Sequence, residues 1–112
     1  MQLETSNQQP EPNSPHPPLM NYYLPFYETV DGYVEKRQPY RDQHLRLANE
    51  YRERGELIMA GAYDPADGAA LVFRGKTEDV AEQFARMDPY VMKGLVTRWW
   101  VRKWSVVVGD GE

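Results

Sequence analysis

His44 and Asp88 are the two residues whose types and placement best suit proton-transfer chemistry. Segment 40–51 reads YRDQHLRLANEY, and on a helix it presents one inward stripe at i, i+3, i+4 and i+7: His44, Leu47, Ala48 and Tyr51. Asp88 lies four residues after Phe84, at the end of the apolar stripe of a second predicted helix. A carboxylate on one imidazole nitrogen fixes the tautomer and leaves the other nitrogen as a general acid or base.

Each of these residues also has a purely structural interpretation. A histidine on an inward helix face is often a core residue whose nitrogens are satisfied by hydrogen bonds. Asp88 precedes Pro89, and Asp-Pro is a common helix start with the aspartate at the N-cap. The capping role and a role beside His44 are compatible, since one carboxylate offers several acceptor positions.

Arg41 and Tyr90 are the candidate substrate-binding residues. Arg41 lies one turn before His44, where it can bind an anionic substrate group or stabilise an oxyanion. Tyr90 follows the Asp88-Pro89 pair and can donate a hydrogen bond. The alternatives are a solvated helix face for Arg41 and simple packing for Tyr90.

Several other chemistries find no support in the sequence. The chain has no cysteine and no serine in an evident nucleophile turn, which argues against covalent acyl transfer. It has no HxxxH or HxH pattern and no glycine-rich phosphate loop, so we expect neither a metal nor a cofactor. Arginine, lysine and tryptophan cluster in segment 98–104, but a net charge of −4 and a pI of about 5.2 disfavour nucleic-acid binding.

The length of 112 residues suits one small domain. Segment 1–19 holds five of the nine prolines among polar residues, which predicts a disordered tail; His16 within it receives no role. Residues 20–108 are the predicted folded domain, and 109–112 a short C-terminal tail. No apolar run reaches the roughly 20 residues of a membrane span, and no secretory signal is evident, so we expect a cytoplasmic protein without a membrane partner.

The hydrophobic pattern predicts the order β-α-β-β-α-β. A short helical segment over 33–38 precedes the first main helix. The predicted strands are 20–28, 56–63, 69–74 and 95–108, and the main helices are 39–54 and one that begins near Thr77 and ends at Asp88. This is the ferredoxin-like α+β arrangement, a four-stranded antiparallel sheet with two helices on one face. Pro25 falls inside the first strand, where we expect a bulge or a position at which its missing N–H faces no partner.

The predicted sheet is apolar on both faces, although helices cover only one. The first strand places Tyr22, Leu24 and Phe26 on one side and Tyr23 and Tyr27 on the other. The last strand likewise has tryptophan or valine on both sides. An uncovered apolar face indicates a partner surface, so we expect a homodimer in which two sheets face each other.

Five short segments together resemble the YCII-related family: YYLPFYE at 22–28, RDQHL at 41–45, ERGEL at 53–57, MDPY at 87–90 and GLVTRWWVRKW at 94–104. The resemblance extends over about residues 20–108. It implies a dimeric α+β barrel of ferredoxin-like subunits, and a buried histidine and aspartate that correspond to His44 and Asp88. Some relatives are linked to dehydrochlorination of chlorinated aromatic diols. The proline-rich tail and Pro25 depart from the family pattern.

These observations favour a cofactor-independent lyase or isomerase acting on a small, cyclic or aromatic substrate. In this hypothesis His44 moves a proton and Asp88 orients it. The alternatives are a non-catalytic module that binds a small ligand or serves dimerisation, and, more distantly, a monooxygenase of the wider dimeric barrel group. The distance between His44 and Asp88, and whether a cavity opens beside them, distinguish an active site from a pair that only stabilises the core.

Overall fold

The computed structural model describes residues 20–109, and the predicted tail 1–19 and residues 110–112 lie outside the described residues. Four strands form the sheet: β1 (Asn21–Thr29), β2 (Leu57–Ala62), β3 (Gly68–Gly75) and β4 (Val96–Trp104). Four helices connect them: α1 (Tyr33–Lys36), α2 (Arg41–Glu53), α3 (Asp79–Met87) and α4 (Pro89–Met92). A 3-10 turn (Gln38–Tyr40) joins α1 to α2. No helix within this part of the chain is both long and apolar enough to cross a membrane.

The sheet confirms the predicted fold class. Its strand order is β2-β3-β1-β4, and every neighbouring pair is antiparallel. The two central strands are therefore the first and third in sequence, as the ferredoxin-like arrangement requires. Residues 63–67 connect β2 and β3 as a five-residue hairpin loop, also as predicted.

Several details differ from the sequence-based expectations. The helix expected from Pro39 starts at Arg41, because residues 38–40 form the 3-10 turn. Of the two alternatives expected at Pro25, the bulge is absent: β1 keeps one register with β3 on both sides of Pro25, and the irregularity against β4 falls between Glu28 and Thr29. Pairing with β3 does skip Leu24 and Pro25, which accommodates the missing N–H.

The fourth strand is also shorter than expected, ending at Trp104 rather than Val108. Trp104 pairs with Tyr22, next to the first residue of β1. Residues after Trp104 therefore extend past the end of β1. Without a neighbouring strand they cannot form the backbone hydrogen bonds of a sheet, however apolar their side chains are.

Helix α2 ends in a glycine-dependent cap that fixes its direction into β2. Gly55 has a φ of 78°, the left-handed region, in which a side chain adds strain. The N–H of Glu56 donates to the Tyr51 carbonyl and that of Gly55 to the Arg52 carbonyl, the pattern of a Schellman motif. The cap satisfies two helix-end carbonyls and reverses the chain toward the sheet.

An aromatic cluster holds α2, β3 and α3 together. The rings of Tyr51, Phe73 and Phe84 contact one another with centroid distances of 5.1 to 5.9 Å. Phe73 and Phe84 are fully buried, and Tyr51 is nearly so. Aromatic pairs of this kind add about 0.5–1.5 kcal/mol each beyond their burial. The cluster sets the two main helices side by side and so places the His44 face of α2 against the end of α3.

Candidate functional site

Asp88 lies at the junction of α3 and α4 and is completely buried. Its backbone is extended, with φ −66° and ψ 121°, as expected for a residue that precedes proline. Its Oδ1 accepts a hydrogen bond of 3.0 Å from the Tyr90 N–H, which makes it the N-cap of α4. The structural role anticipated from the Asp-Pro sequence is therefore present.

His44 brings a second donor to the same carboxylate. Its Nδ1 lies 2.9 Å from Asp88 Oδ1, although 44 residues separate the two in sequence. The imidazole stacks on the Tyr90 ring at a centroid distance of 3.9 Å and an angle of 11°. The Phe84 ring lies nearly perpendicular to it, with the ring centroids 6.3 Å apart. Two aromatic contacts and the contact at Nδ1 thus hold the imidazole ring.

Tyr27 is a third side-chain contact of this cluster and was not anticipated from the sequence. Its hydroxyl donates a 2.9 Å hydrogen bond to Asp88 Oδ2, so both carboxylate oxygens have partners. The signal available was a tyrosine on the helix-facing side of β1, since a buried tyrosine hydroxyl usually needs a partner. Its partner depends on the position of a residue 61 places later, which no local pattern reveals.

The protonation preferences of the tyrosines follow from this packing. Burial, reinforced by the charge of Asp88 and the hydrogen bond to it, raises the pKa of Tyr27 well above its ordinary value. Burial also raises the pKa of Tyr90, an effect that the Arg41 and Arg37 guanidiniums oppose. Both phenols therefore stay protonated near neutral pH, and Tyr27 remains a hydrogen-bond donor to Asp88.

A cavity of about 480 Å³ opens beside His44, between α2 and the sheet. Its apolar wall includes Leu57, Leu71 and Ile58, and its polar lining includes Tyr27, Tyr33, Arg37, Arg41, Asn49, Arg52 and Tyr90. Asp88 does not line it, so His44 separates the carboxylate from the cavity. Since Nδ1 contacts Asp88, Nε2 is the ring nitrogen left for a bound molecule, and the His44 side chain keeps 16% of its surface exposed.

Of the four predicted site residues, His44, Arg41 and Tyr90 line this cavity, and Asp88 contacts His44 on the side away from it. Arg41 lies in the first turn of α2, one turn from His44, and lines the cavity as does Tyr90. Arg37 and Tyr33 line it too and were not predicted, because they belong to a short helical segment that sequence alone could not orient. Within residues 20–109, no group of three or more histidine or carboxylate side chains is arranged to hold a metal ion.

Fold and site together define a class: a ferredoxin-like α+β domain with a buried carboxylate behind a histidine that lines a cavity. Comparison with protein families gives the assignment directly. The chain belongs to the YCII-related domain family, whose model matches residues 20–105. An uncharacterized protein of Haemophilus influenzae is 30% identical over 84 residues, which cover 66% of this chain and 86% of that relative.

Two solved structures share the fold. One is 5-chloro-2-hydroxyhydroquinone dehydrochlorinase (TftG) from Burkholderia phenoliruptrix AC1100, in complex with 2,5-dihydroxybenzoquinone; it matches with a TM-score of 0.63 and 18% identity, over 75% of this chain and 93% of that one. The other is Rv0793 from Mycobacterium tuberculosis, with a TM-score of 0.52 and 11% identity, over 82% of this chain and 99% of that one. At these identities the likeness concerns the fold.

Proposed function

We propose that this protein is a cofactor-independent lyase or isomerase that moves a proton on a small cyclic or aromatic substrate. The observation that carries the proposal is the 2.9 Å contact between His44 Nδ1 and the fully buried Asp88, with His44 lining a cavity of about 480 Å³. A histidine that only stabilised the core would need no cavity beside its second ring nitrogen, Nε2. Pockets of 300–1,000 Å³ are typical of small-molecule sites.

His44 acts as the general acid–base in this proposal, and Asp88 as the residue that orients it. With the Nδ1 proton directed at Asp88, Nε2 accepts a proton from a substrate carbon or hydroxyl. The resulting imidazolium is stabilised by the carboxylate, and the same nitrogen returns the proton to another substrate atom in an isomerisation. In an elimination the electron pair left behind forms the new double bond and expels an anionic leaving group such as chloride.

The fold-sharing dehydrochlorinase supports the choice of substrate class. That enzyme is named for the loss of hydrogen chloride from a chlorinated hydroxyhydroquinone, and its structure holds a substituted benzoquinone. A cyclic molecule of similar size fits the volume of the cavity beside His44. The comparison is an analogy between folds, and it makes ring compounds with acidic protons the first substrates to test.

The proposal is tested by following hydrogen–deuterium exchange in a panel of cyclic compounds in heavy water by NMR, since exchange reports proton abstraction whatever the net reaction. The panel includes chlorinated hydroxyhydroquinones, for which chloride release is measured as well. His44→Gln should lower the rate about 10²–10⁴-fold, as is typical for a general acid–base group. Gln43→Ala, an exposed neighbour on α2, is the control and should keep the rate. Equal rates in wild type and His44→Gln would contradict the proposal, as would binding of panel members without any exchange.

A homodimer is the second part of the proposal. The sheet face opposite the helices carries Phe26 and Trp100, stacked at a centroid distance of 5.7 Å, and Trp104, which is 47% exposed. An apolar face of this kind is typical of an interface between subunits. Sedimentation velocity at micromolar concentration should give the mass of two chains, and Trp100→Glu should reduce it to one. A folded wild-type monomer would refute this part.

A further inference from the structure

We propose that the molecule bound in the cavity beside His44 is a ring compound carrying a carboxylate, which is held by Arg41, Arg37 and the Tyr90 hydroxyl. This inference deepens the proposed function, because it names the substrate class of the same site.

The charge of the cavity is the first observation. Among the described residues, its lining contains three arginines, Arg37, Arg41 and Arg52, and no aspartate or glutamate. The chain as a whole has a net charge of −4, so this local excess of positive charge runs against the composition. Within residues 20–109, none of these three arginines forms an ion pair, whereas exposed Arg54, Arg86 and Arg98 each do. The cavity thus offers guanidinium groups without protein carboxylates as partners.

Unsatisfied polar atoms are the second observation. The Tyr90 hydroxyl and Arg37 Nε are buried and have no hydrogen-bond partner among the described residues. Tyr90 is only 1% exposed, and a buried hydroxyl left without a partner destabilises the protein. The Arg41 and Arg37 guanidiniums lie near enough to this hydroxyl to influence its ionisation. A carboxylate oxygen placed between these groups would satisfy the phenol O–H and a guanidinium together.

The position of these donors relative to His44 is the third observation. Tyr90 stacks flat on the imidazole at 3.9 Å, and Arg41 precedes His44 by one helical turn. Arg52 lies just over two turns beyond His44 on α2, where it donates to the Leu57 carbonyl at 3.4 Å. An acid group held by Arg41 and Tyr90 would therefore keep the attached ring beside the imidazole, against the apolar wall.

That apolar wall favours a ring acid over a small inorganic anion. Leu57, Leu71, Ile58 and Ala48 are apolar residues of the cavity lining, and none of them belongs to the segment that carries Arg37 and Arg41 at the start of α2. An inorganic phosphate would leave this surface without contact, whereas an aromatic or alicyclic ring covers it. The carboxylate provides orientation, and the ring provides most of the buried apolar area.

The test uses isothermal titration calorimetry with the full-length protein, and benzoate, its neutral analogue benzamide, and inorganic phosphate as probes. Benzoate should bind at least about tenfold more tightly than benzamide, because charge-assisted hydrogen bonds are the stronger ones. Arg41→Gln should weaken benzoate binding about 10- to 100-fold, while Arg46→Gln, on the exposed side of the same helix, should leave it unchanged. Tyr90→Phe should weaken binding severalfold without loss of thermal stability, since the hydroxyl has no described partner to lose.

Absence of benzoate binding would overturn the inference, as would equal affinity for benzoate and benzamide or an effect of Arg46→Gln as large as that of Arg41→Gln. Tighter binding of phosphate than of benzoate would overturn the assignment to a ring acid. His44→Gln separates this inference from the proposed function: benzoate should still bind to that variant. Arg41-dependent binding in a protein without exchange activity would leave this inference standing and reject the catalytic proposal.

Discussion

Asp88 combines two roles that are usually assigned to different residues. One of its oxygens caps α4 and contacts His44, and the other accepts from Tyr27. A buried carboxylate is tolerated only when its acceptor positions are filled, which is the case here with three donors. The hydrogen bond that starts a helix also fixes the carboxylate that holds the imidazole, so the local fold and the site geometry depend on one side chain.

Tyr27→Phe should destabilise the protein by about 1–3 kcal/mol, because it leaves Asp88 Oδ2 buried without its donor. Tyr23→Phe is the matched control on the same side of β1: within residues 20–109 its hydroxyl reaches only the Lys76 carbonyl, at 3.5 Å, and its loss should cost less. The free energy of unfolding from urea titration measures both. A larger loss in Tyr23→Phe than in Tyr27→Phe would contradict the assigned role of Tyr27.

At the scale of the elements, α2 and the junction of α3 with α4 determine whether His44 meets Asp88. The helical stripe through His44 and the apolar spacing that leads to Asp88 were readable in the sequence, and so was the strand order that sets the helices side by side. Tyr27 and Arg37 were not, because the Asp88 partner of Tyr27 and the position of Arg37 at the cavity depend on tertiary structure rather than on local periodicity. The predicted fourth strand is too long for a similar reason. The length of β4 is limited by the length of its neighbour β1, which the apolar residues of β4 do not reveal.

A substitution at Gly68 tests how closely β1 and β3 must approach each other to position Tyr27. A Cβ at Gly68 would lie 2.6 Å from the Tyr27 carbonyl oxygen and 2.7 Å from the Tyr63 ring. Gly68→Ala should therefore destabilise the fold by about 1–3 kcal/mol, the usual effect of overpacking. Gly61→Ala on neighbouring β2 has no atom within 4 Å of the new Cβ and should be nearly neutral. Thermal unfolding of the two variants gives the comparison, and similar melting temperatures would show that this approach can relax.

At the scale of the whole molecule, the buried tyrosines link stability to alkaline pH. Burial raises the pKa of Tyr27, Tyr33 and Tyr90 above the ordinary value near 10. The folded protein therefore keeps protons above pH 10 that the unfolded chain releases, and its stability falls as pH rises.

Each tyrosine that stays protonated in the folded state lowers the free energy of unfolding by at most about 1.4 kcal/mol per pH unit in this range. Urea titrations at several pH values above 10 should show a steeper loss of stability in wild type than in Tyr27→Phe, in which one of the three contributions is removed. The near-ultraviolet absorbance of tyrosinate should show the corresponding delayed ionisation. Parallel pH profiles for the two proteins would contradict the assignment for Tyr27.

The pairing of His44 with Asp88 is the central claim, and the NMR resonance of the imidazole Nδ1–H tests it most directly. In the pair, Nδ1 lies 2.9 Å from Asp88 Oδ1, so the Nδ1–H proton should be observed and shifted downfield. Asp88→Asn keeps an N-cap residue of equal quality, so the fold should survive, but it replaces the carboxylate by a neutral amide. The Nδ1–H resonance of His44 should then move upfield, because a hydrogen bond to a neutral acceptor is weaker than one to a carboxylate. The His16 signal is identified with His16→Gln, and Asp79→Asn, at an exposed carboxylate in the first turn of α3, is the control and should leave the resonance in place. A folded Asp88→Asn protein whose Nδ1–H resonance stays where it is in wild type would contradict the claim and reduce Asp88 to the cap of α4.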